Sequence, residues 1–279
     1  MKFQRCFVLA FCVAGSAVIL PAAVSSSKPD PTPDQIQNII KTFTQKETDF
    51  AIARENYTYR QTTKIEEVDP PGGSFEVVEE VGFDDRNKRT SRVTYAPVVS
   101  LEHIVMTQED EEDYRHVMPF VMTNDTLPEY DVSYVGRQQV DEIGCYVFNV
   151  KPKVLTKDRK RYFDGQIWVD DQDLQIVKTF GRSTGHLRRG EDQQFPKFET
   201  YRQQIDGKYW FPTYTYADDT LNFKDGPSQR IKEIIKYDHY KKYEFKTNST
   251  ITYGTVGGAD AQPEKPPANS PKPPNPPEQ

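Results

Sequence analysis

Acidic side chains cluster at one point of the sequence, where they could bind a cation. Asp170, Asp171 and Asp173 lie within the run Asp170-Asp171-Gln172-Asp173. Calcium prefers carboxylate oxygens, but a calcium loop needs more ligands at defined intervals and usually a glycine. This run has neither, and apolar strand-like segments flank it on both sides. We therefore interpret it as the polar tip of a hairpin and predict no metal site there.

Residue types that perform hydrolysis are present, but their spacing does not match a catalytic motif. The histidines are widely separated, without an H-x-x-x-H or H-E-x-x-H pattern: His103, His116, His186 and His239. Ser183-Thr184-Gly185 lacks the G-x-S-x-G elbow of serine hydrolases. Cys145 has no motif that supplies a histidine or a cation, so a structural role is expected. We predict no catalytic residues, no metal and no cofactor, and a hydrolase is the weaker alternative.

Basic side chains also cluster, in the stretch that precedes the acidic turn. They are Lys151, Lys153, Lys157, Arg159, Lys160 and Arg161. Such a stretch could meet anionic head groups or an acidic partner, and a solvated basic loop is the simpler alternative. The formal net charge of the whole chain is -6, which does not favour nucleic acid as a partner.

The elements around these residues are mostly strands with apolar residues at every second position. Tyr146, Phe148 and Val150 share one face, as do Ile167 and Val169. Leu174, Ile176 and Phe180 follow after the acidic turn in the same pattern. Alternation of this kind predicts an antiparallel sheet that is apolar on one side.

One amphipathic helix precedes the strands. Thr32-Pro33-Asp34-Gln35 supplies an N-cap, a proline at the first helical position and the glutamine of a capping box. The residues that follow at helical spacing are Ile36, Ile39, Ile40, Phe43, Glu47, Phe50 and Ala51. Segments near 57–68, 75–83 and 93–95 then predict a meander. From Pro97 to Leu127 the alternation fails, which indicates short helices joined by a charged loop that could cap the sheet.

The two ends of the chain differ from the middle. Lys2 and Arg5, an apolar stretch of about 14 residues and small residues up to Ser27 are typical of a secretory signal peptide, because such a stretch is too short to span a bilayer comfortably. We predict cleavage near Ser25 and an exported protein. Residues 255–279 are rich in proline and should form a disordered tail. The remaining part, 26–254, has the length of one β domain.

The order of these features resembles that of the outer-membrane lipoprotein-sorting proteins, the Lol-type carriers of the bacterial envelope. The motifs are G-x-Y-V-F-x-V-x-P-K from Gly144, Y-F-D-G-Q-I-W-V-D-D-Q-D-L-Q-I-V from Tyr162, and A-R-E-N-Y-T-Y-R-Q from Ala53 with D-G-K-Y-W-F-P-T-Y from Asp206. The resemblance implies an α+β fold: an incomplete antiparallel barrel around an N-terminal amphipathic helix and a short helical insert. The residues themselves indicate about ten strands. The resemblance further implies a periplasmic location and an apolar cavity that holds acyl chains.

A curved sheet with an aromatic inner face must be filled by helices or leave room for an apolar guest. We therefore predict a lipid-binding cavity between sheet and helices, and the alternative is that its residues simply form the core. The predicted lining is Tyr57, Tyr59, Phe75, Val77, Val93, Tyr95, Phe148, Ile167, Ile176, Trp210 and Tyr214. The expected partners are a lipid or a lipidated protein, together with proteins of the inner or outer membrane. The alternative function is an envelope sensor or scaffold of the same fold that binds a protein without carrying lipid.

Overall fold

The computed structural model of the chain describes residues 29–84, 86, 88–187, 192–246 and 250–255, and for 244–246 and 250–255 it describes the backbone alone. The predicted signal peptide, 1–25, with its cleavage point near Ser25, lies outside the described residues. So does the predicted tail, 255–279, apart from Thr255. No helix within the described ranges is long and apolar enough to cross a membrane.

Helix α1 spans Pro33–Ala53 and forms as the capping signals predict. The backbone N–H of Thr32 donates to Gln35 Oε1 at 2.8 Å, and the Thr32 hydroxyl accepts from the Gln35 backbone. Its buried side is the predicted apolar stripe, in which Phe43 and Glu47 are almost fully inaccessible. A short 3-10 helix, Arg54–Asn56, then leads into the first strand.

The sheet has eleven strands, and every pair in it is antiparallel. The strands are β1 (Tyr57–Asp69), β2 (Ser74–Phe83), β3 (Arg89–Tyr95), β4 (Tyr130–Val140), β5 (Ile143–Pro152), β6 (Arg161–Asp170), β7 (Ile176–Gly185), β8 (Lys197–Gln204), β9 (Trp210–Leu221), β10 (Gln229–Lys246) and β11 (Thr250–Thr255). Their order is β3-β2-β1-β10-β9-β8-β7-β6-β5-β4, and β11 pairs with β10. Within the described residues β3 and β4 are not paired with each other, so the sheet stays open. This confirms the predicted incomplete antiparallel barrel.

The segment between β3 and β4, which we call the insert, covers the concave face together with α1. It contains helix α2 (Gln108–Glu112), which continues as a wider π-helical turn, Asp113–Val117. The predicted short helices are present, but the acidic run 109–113, which we expected to lie in the charged loop, is itself helical. Thr107 caps the run in a box with Asp110, and acidic residues in a first helical turn are stabilised by the helix dipole.

Most of the space between sheet and helix is filled. Phe43 of α1 packs on Phe148 with ring centroids 5.5 Å apart, and Phe120 of the insert stacks on Phe163 at 4.5 Å. A second, smaller cluster formed by Cys145, Val147, Trp168 and Val177 lies on the opposite face of the sheet. The sheet is therefore less one-sided than its alternation indicates.

Candidate functional site

A cavity of about 400 Å³ remains where the C-terminal end of α1, the insert and the sheet meet. Its apolar floor consists of rings from five elements: Phe50, Tyr57, Tyr59, Phe163, Phe211 and Tyr240. Phe211 is at the centre of these contacts, with its ring centroid 5.1 Å from Phe50 and 4.8 Å from both Tyr57 and Tyr240. We call this space the aromatic cavity. Its volume lies within the range of about 300–1,000 Å³ that is usual for ligand sites.

The tyrosine hydroxyls of the floor are tied to other parts of the chain. The Tyr57 hydroxyl donates to Asp206 Oδ2 at 2.6 Å, and the Tyr240 hydroxyl donates to the Pro212 carbonyl at 2.6 Å. Burial and the hydrogen bond to Asp206 raise the pKa of Tyr57 well above its ordinary value. These two tyrosines therefore stay neutral and act as apolar rings at physiological pH.

Cationic side chains surround the floor. They are Arg54, Lys88, Arg89, Arg115, Lys160 and Arg161, with His116 beside them and Glu129 as the carboxylate in the lining. Arg89 and Arg115 each lie 3.3 Å from the buried carboxylate of Glu79, and Lys160 lies 2.6 Å from Glu129. Exposed Lys88, His116 and Lys160 place the mouth at the surface. The cavity is thus apolar inside and positively charged at its edge.

Arg54 differs from the other arginines of the aromatic cavity, which all lie near a carboxylate. Its guanidinium makes no hydrogen bond and no ion pair with the described residues, and it stacks over the Phe83 ring at 5.0 Å. Its Nε is buried without a partner. Burial lowers the pKa of Arg54, which shows that its environment disfavours an unaccompanied charge. An anionic group in the cavity would supply the missing counter-charge.

The predicted lining residues divide into three groups. Tyr57 and Tyr59 line the aromatic cavity. Five others pack in the main core under α1 and the insert, where they line neither of the cavities described here: Phe75, Val77, Phe148, Ile167 and Ile176. The remaining four lie away from the interior.

Val93 and Tyr95 are 52% and 53% exposed, because they belong to the edge strand β3, which the helix and the insert do not cover. Trp210 packs with the cluster on the opposite face and donates from its ring nitrogen to Asp173 at 3.0 Å. Tyr214 directly precedes the fully buried Thr215, so its side chain lies on the opposite face of the strand. It belongs to neither hydrophobic cluster. In β9 the side chains of Phe211 and Thr215 therefore face the core, each one position after the predicted Trp210 and Tyr214.

The sequence reading missed the residues that give the aromatic cavity its character. Phe211 and Tyr240 complete the floor, and Arg54 supplies the unpaired charge. Arg54 directly follows the last turn of α1 and shortly precedes the predicted lining residues Tyr57 and Tyr59 in sequence. This position could have indicated that Arg54 lies near the same cavity.

Side chains of the basic stretch lie close to acidic side chains of the insert. Arg159 Nε lies 2.6 Å from Glu109, and Arg161 Nε lies 3.9 Å from Asp113. Lys153 donates to the Pro128 carbonyl at 3.0 Å. Part of the basic stretch therefore fastens the insert to the sheet rather than forming a free solvated loop.

A second cavity, of about 480 Å³, lies on the other side of the insert, and we call it the acidic cavity. Its walls are apolar, from residues such as Ile65, Met118 and Ile231, and its carboxyl groups include Asp113 and Glu233. The Ser183 hydroxyl donates to Asp113 Oδ1 at 2.6 Å. Burial raises the pKa of Asp113 to about 7 and that of Glu233 to about 8.

The candidate catalytic groups are held in structural contacts. Ser183 bonds to Asp113, and His116 Nε2 lies 3.3 Å from Glu112. Cys145 is buried in the outer cluster, and burial raises its pKa to about 12, which keeps the thiol protonated. No group of three or more His, Cys, Asp or Glu side chains in the described part of the chain could hold a metal ion.

No protein-family model matches the chain, and no curated protein sequence matches it significantly. Solved structures do match. A DUF1329 family protein from Desulfovibrio piger has 14% identity and a TM-score of 0.39, over 77% of this chain and 94% of that one. A LolA superfamily protein from Nitrosomonas europaea has 10% identity and a TM-score of 0.35, over 75% and 94%.

A domain of the outer membrane lipoprotein-sorting kind from Vibrio parahaemolyticus has 11% identity and a TM-score of 0.33, over 76% of this chain and 95% of that one. The matching structures thus include LolA superfamily, DUF1329 and lipoprotein-sorting proteins. At these identities and TM-scores the likeness carries neither a ligand nor a partner over to this chain.

Proposed function

We propose that this chain is an exported carrier that holds the acyl chain of a lipid or a lipidated protein in the aromatic cavity. The observation that supports this most strongly is the combination of an aromatic floor with a positively charged mouth. Apolar rings would receive the hydrocarbon, and the cations would receive an anionic head group. The signal peptide predicted from the sequence supports export to the envelope, and no catalytic step is needed for such a role.

The energy available from burial is adequate for carriage. Each buried methylene contributes about 0.8 kcal/mol, so about ten of them contribute roughly 8 kcal/mol before the costs of binding. A chain inserted into the aromatic cavity would pack against Phe211, Tyr57 and Tyr240 and lose its own contact with water. Reversible binding of this strength suits a carrier, because the cargo has to be released to an acceptor.

Arg54 favours a lipid with an anionic head group. A guanidinium that lacks a partner among the described residues gains a charge-assisted hydrogen bond when a carboxylate or phosphate arrives. A head group held at this point would leave the acyl chain directed along the aromatic floor.

The alternative function is an envelope sensor or scaffold, and the free edge strand favours it. Val93, Tyr95, Val98 and Val99 are all more than half exposed on or just after β3. An uncovered edge with apolar side chains is a surface to which a partner protein could add a strand. Carrier and scaffold roles use different regions of the molecule, so they can be tested separately.

The test is displacement of a fluorescent long-chain fatty acid from wild-type protein and from two matched tryptophan variants. Val121→Trp places a bulky ring in the lining, whereas Val135→Trp adds the same ring on exposed β4. We expect saturable binding by wild type and Val135→Trp, and at least tenfold weaker binding by Val121→Trp. Equal affinity of the two variants, or no saturable binding by wild type, would refute the carrier proposal.

A second variant separates head-group recognition from chain burial. We expect Arg54→Gln to weaken binding of the fatty acid by about tenfold, the usual scale of one charge-assisted hydrogen bond, and to leave binding of the matching fatty alcohol unchanged. Equal losses for acid and alcohol would mean that Arg54 contributes packing rather than charge.

A further inference from the structure

We infer that the acidic cavity is a second binding site, for a small organic cation that carries an ammonium group on an apolar stem, with Glu233 as its counter-ion. This site is independent of the aromatic cavity and goes beyond the proposed carrier function. It uses different residues, and its ligand has the opposite charge.

Glu233 is the residue on which the inference rests. It lies on β10 facing inward between Ile231 and Ile235, and only 3% of it is exposed. It lines the acidic cavity, and it makes no hydrogen bond and no ion pair with the described residues. A buried carboxyl without a partner costs free energy, and its persistence beside an open space indicates a ligand that pairs with it.

Three other charged side chains of the described lining, those of Asp110, Asp192 and Arg159, are already held in place. Asp110 accepts from Thr107 in the cap of α2 and from Gln193 at 2.7 Å, and Asp192 accepts from Gln194 at 2.9 Å. Arg159 at the rim is held by Glu109 at 2.6 Å, so it is not free to neutralise Glu233.

Asp113 contributes a further carboxyl group from the opposite wall of the acidic cavity. It is bound by Ser183 and lies 3.9 Å from Arg161, which is too long for a hydrogen bond. His103 is the remaining titratable group among the lining residues that the structure describes. Within that set four carboxyl groups, Asp110, Asp113, Asp192 and Glu233, outnumber the guanidinium of Arg159, which favours a positively charged guest over an anionic one.

The walls define the rest of the ligand. Ile65, Ile104, Met106 and Leu221 contribute apolar surface, and methionine adapts to irregular shapes. A volume of about 480 Å³ accommodates a small molecule rather than a macromolecule. An alkylamine satisfies both conditions, because its stem contacts these walls while its ammonium group reaches Glu233.

Burial raises the pKa of Glu233 to about 8, with Asp113 and Asp110 adding to the effect. At pH 7 the group is thus mostly protonated, and a bound ammonium group would ionise it. Binding at pH 7 should release a proton, and at pH 9, where the carboxyl is already ionised, this release should vanish.

The experiment is isothermal titration calorimetry of the full chain with n-hexylamine, n-hexanol and n-hexanoate, in buffers of different ionisation enthalpy. Glu233→Gln removes the carboxyl group that a bound ammonium would ionise, and Glu66→Gln makes the same change on β1 at a half-exposed site. We expect hexylamine to bind with proton release at pH 7. Its affinity should fall at least about tenfold in Glu233→Gln and stay within about twofold in Glu66→Gln.

Hexanol should bind at least about tenfold more weakly than hexylamine, and hexanoate should not bind in this cavity. Arg54→Gln should leave hexylamine binding unchanged, which separates this site from the aromatic cavity. Equal binding of amine and alcohol, equal binding by wild type and Glu233→Gln, or no binding of hexylamine would each overturn the inference.

Discussion

Glu47 and Arg202 form a buried ion pair that fastens α1 to the sheet. Arg202 Nη1 donates to both carboxylate oxygens, at 2.9 and 3.1 Å, and its Nη2 donates to the Phe120 carbonyl of the insert. Both side chains are almost fully inaccessible. Burial acts to raise the pKa of Glu47, and Arg202 opposes that shift. One arginine thus joins three parts of the molecule.

Removing one member of this pair should be strongly destabilising. Arg202→Met leaves the Glu47 carboxyl buried without its partner, so we expect a loss of about 3–5 kcal/mol in the free energy of unfolding by urea. The double variant Glu47→Leu with Arg202→Met should recover much of that loss, because well-packed apolar residues can replace a buried pair. A single-variant loss below about 1 kcal/mol would show that the pair is not isolated from water.

Glu233 and Asp113 make stability depend on pH in a defined direction. Both pKa values lie above those of the unfolded chain, so the folded state binds more protons, up to about pH 7 through Asp113 and up to about pH 8 through Glu233. Stability should therefore fall as pH rises, by about 1.4 kcal/mol per pH unit for each group. We expect urea unfolding of Glu233→Gln to show a shallower slope than wild type. An unchanged slope would mean that Glu233 is solvated in the folded state.

At the scale of elements, Glu67 at the end of β1 holds the start of the insert. Its carboxylate accepts backbone N–H groups of Glu102, His103 and Ile104 at 2.6–2.8 Å, and that of Gly73 at 2.9 Å. Burial acts to raise its pKa, but these donors outweigh it and hold the pKa below the ordinary value. The carboxylate thus accepts the backbone hydrogen bonds that a neighbouring strand would otherwise accept from residues 102–104.

Glu67→Gln should loosen this end of the insert. We expect a loss of about 1.5–3 kcal/mol in stability and faster amide exchange at residues 102–104 by hydrogen–deuterium exchange. Because the folded pKa is depressed, the stabilisation is present above the unfolded pKa and disappears as pH falls through the folded value. Exchange at β5 should not change, and an equal rise there would indicate global rather than local loosening.

The helices and strands could largely be predicted from the sequence, because the signals that specify them come from residues close together in the chain. The capping box of α1 and the alternation in β5 and β6 are decided by neighbours in the chain, and Phe148 and Ile167 face the core as expected. Irregularities in pairing were not predictable. In β10, His239 has a positive φ of 55° beside a register shift, so Tyr237 and Tyr240 both face inward although three positions separate them.

The same limit explains the errors at the candidate site. A register shift between Trp168 and Val169 places Ile176 inside but leaves Phe180 42% exposed, against the predicted alternation. In β9, aromatic residues occur at both odd and even positions, so alternation alone could not decide which face of the strand points inward. Phe211 faces the core rather than Trp210, because its ring packs on Phe50 and Tyr57. Whether Arg54 forms an ion pair depends on which carboxylates lie close to it in space, and the sequence does not specify that.

At the scale of the whole molecule, α1 and the insert fill the middle of an open sheet and leave a cavity on each side of the insert. The aromatic cavity is rimmed by cations, and the acidic cavity contains carboxyl groups. Both cavities therefore lie beside the helix rather than beneath it, because Phe43 and Phe148 already occupy the centre.

If the aromatic cavity holds an acyl chain, the mature protein purified without detergent from its own host should carry one, and native mass spectrometry will detect it. We expect a second mass series, heavier by one anionic lipid or fatty acid, that is present for Val135→Trp and lost in Val121→Trp. A single apo mass for the wild-type protein, or a lipid adduct of equal abundance in both variants, would contradict it.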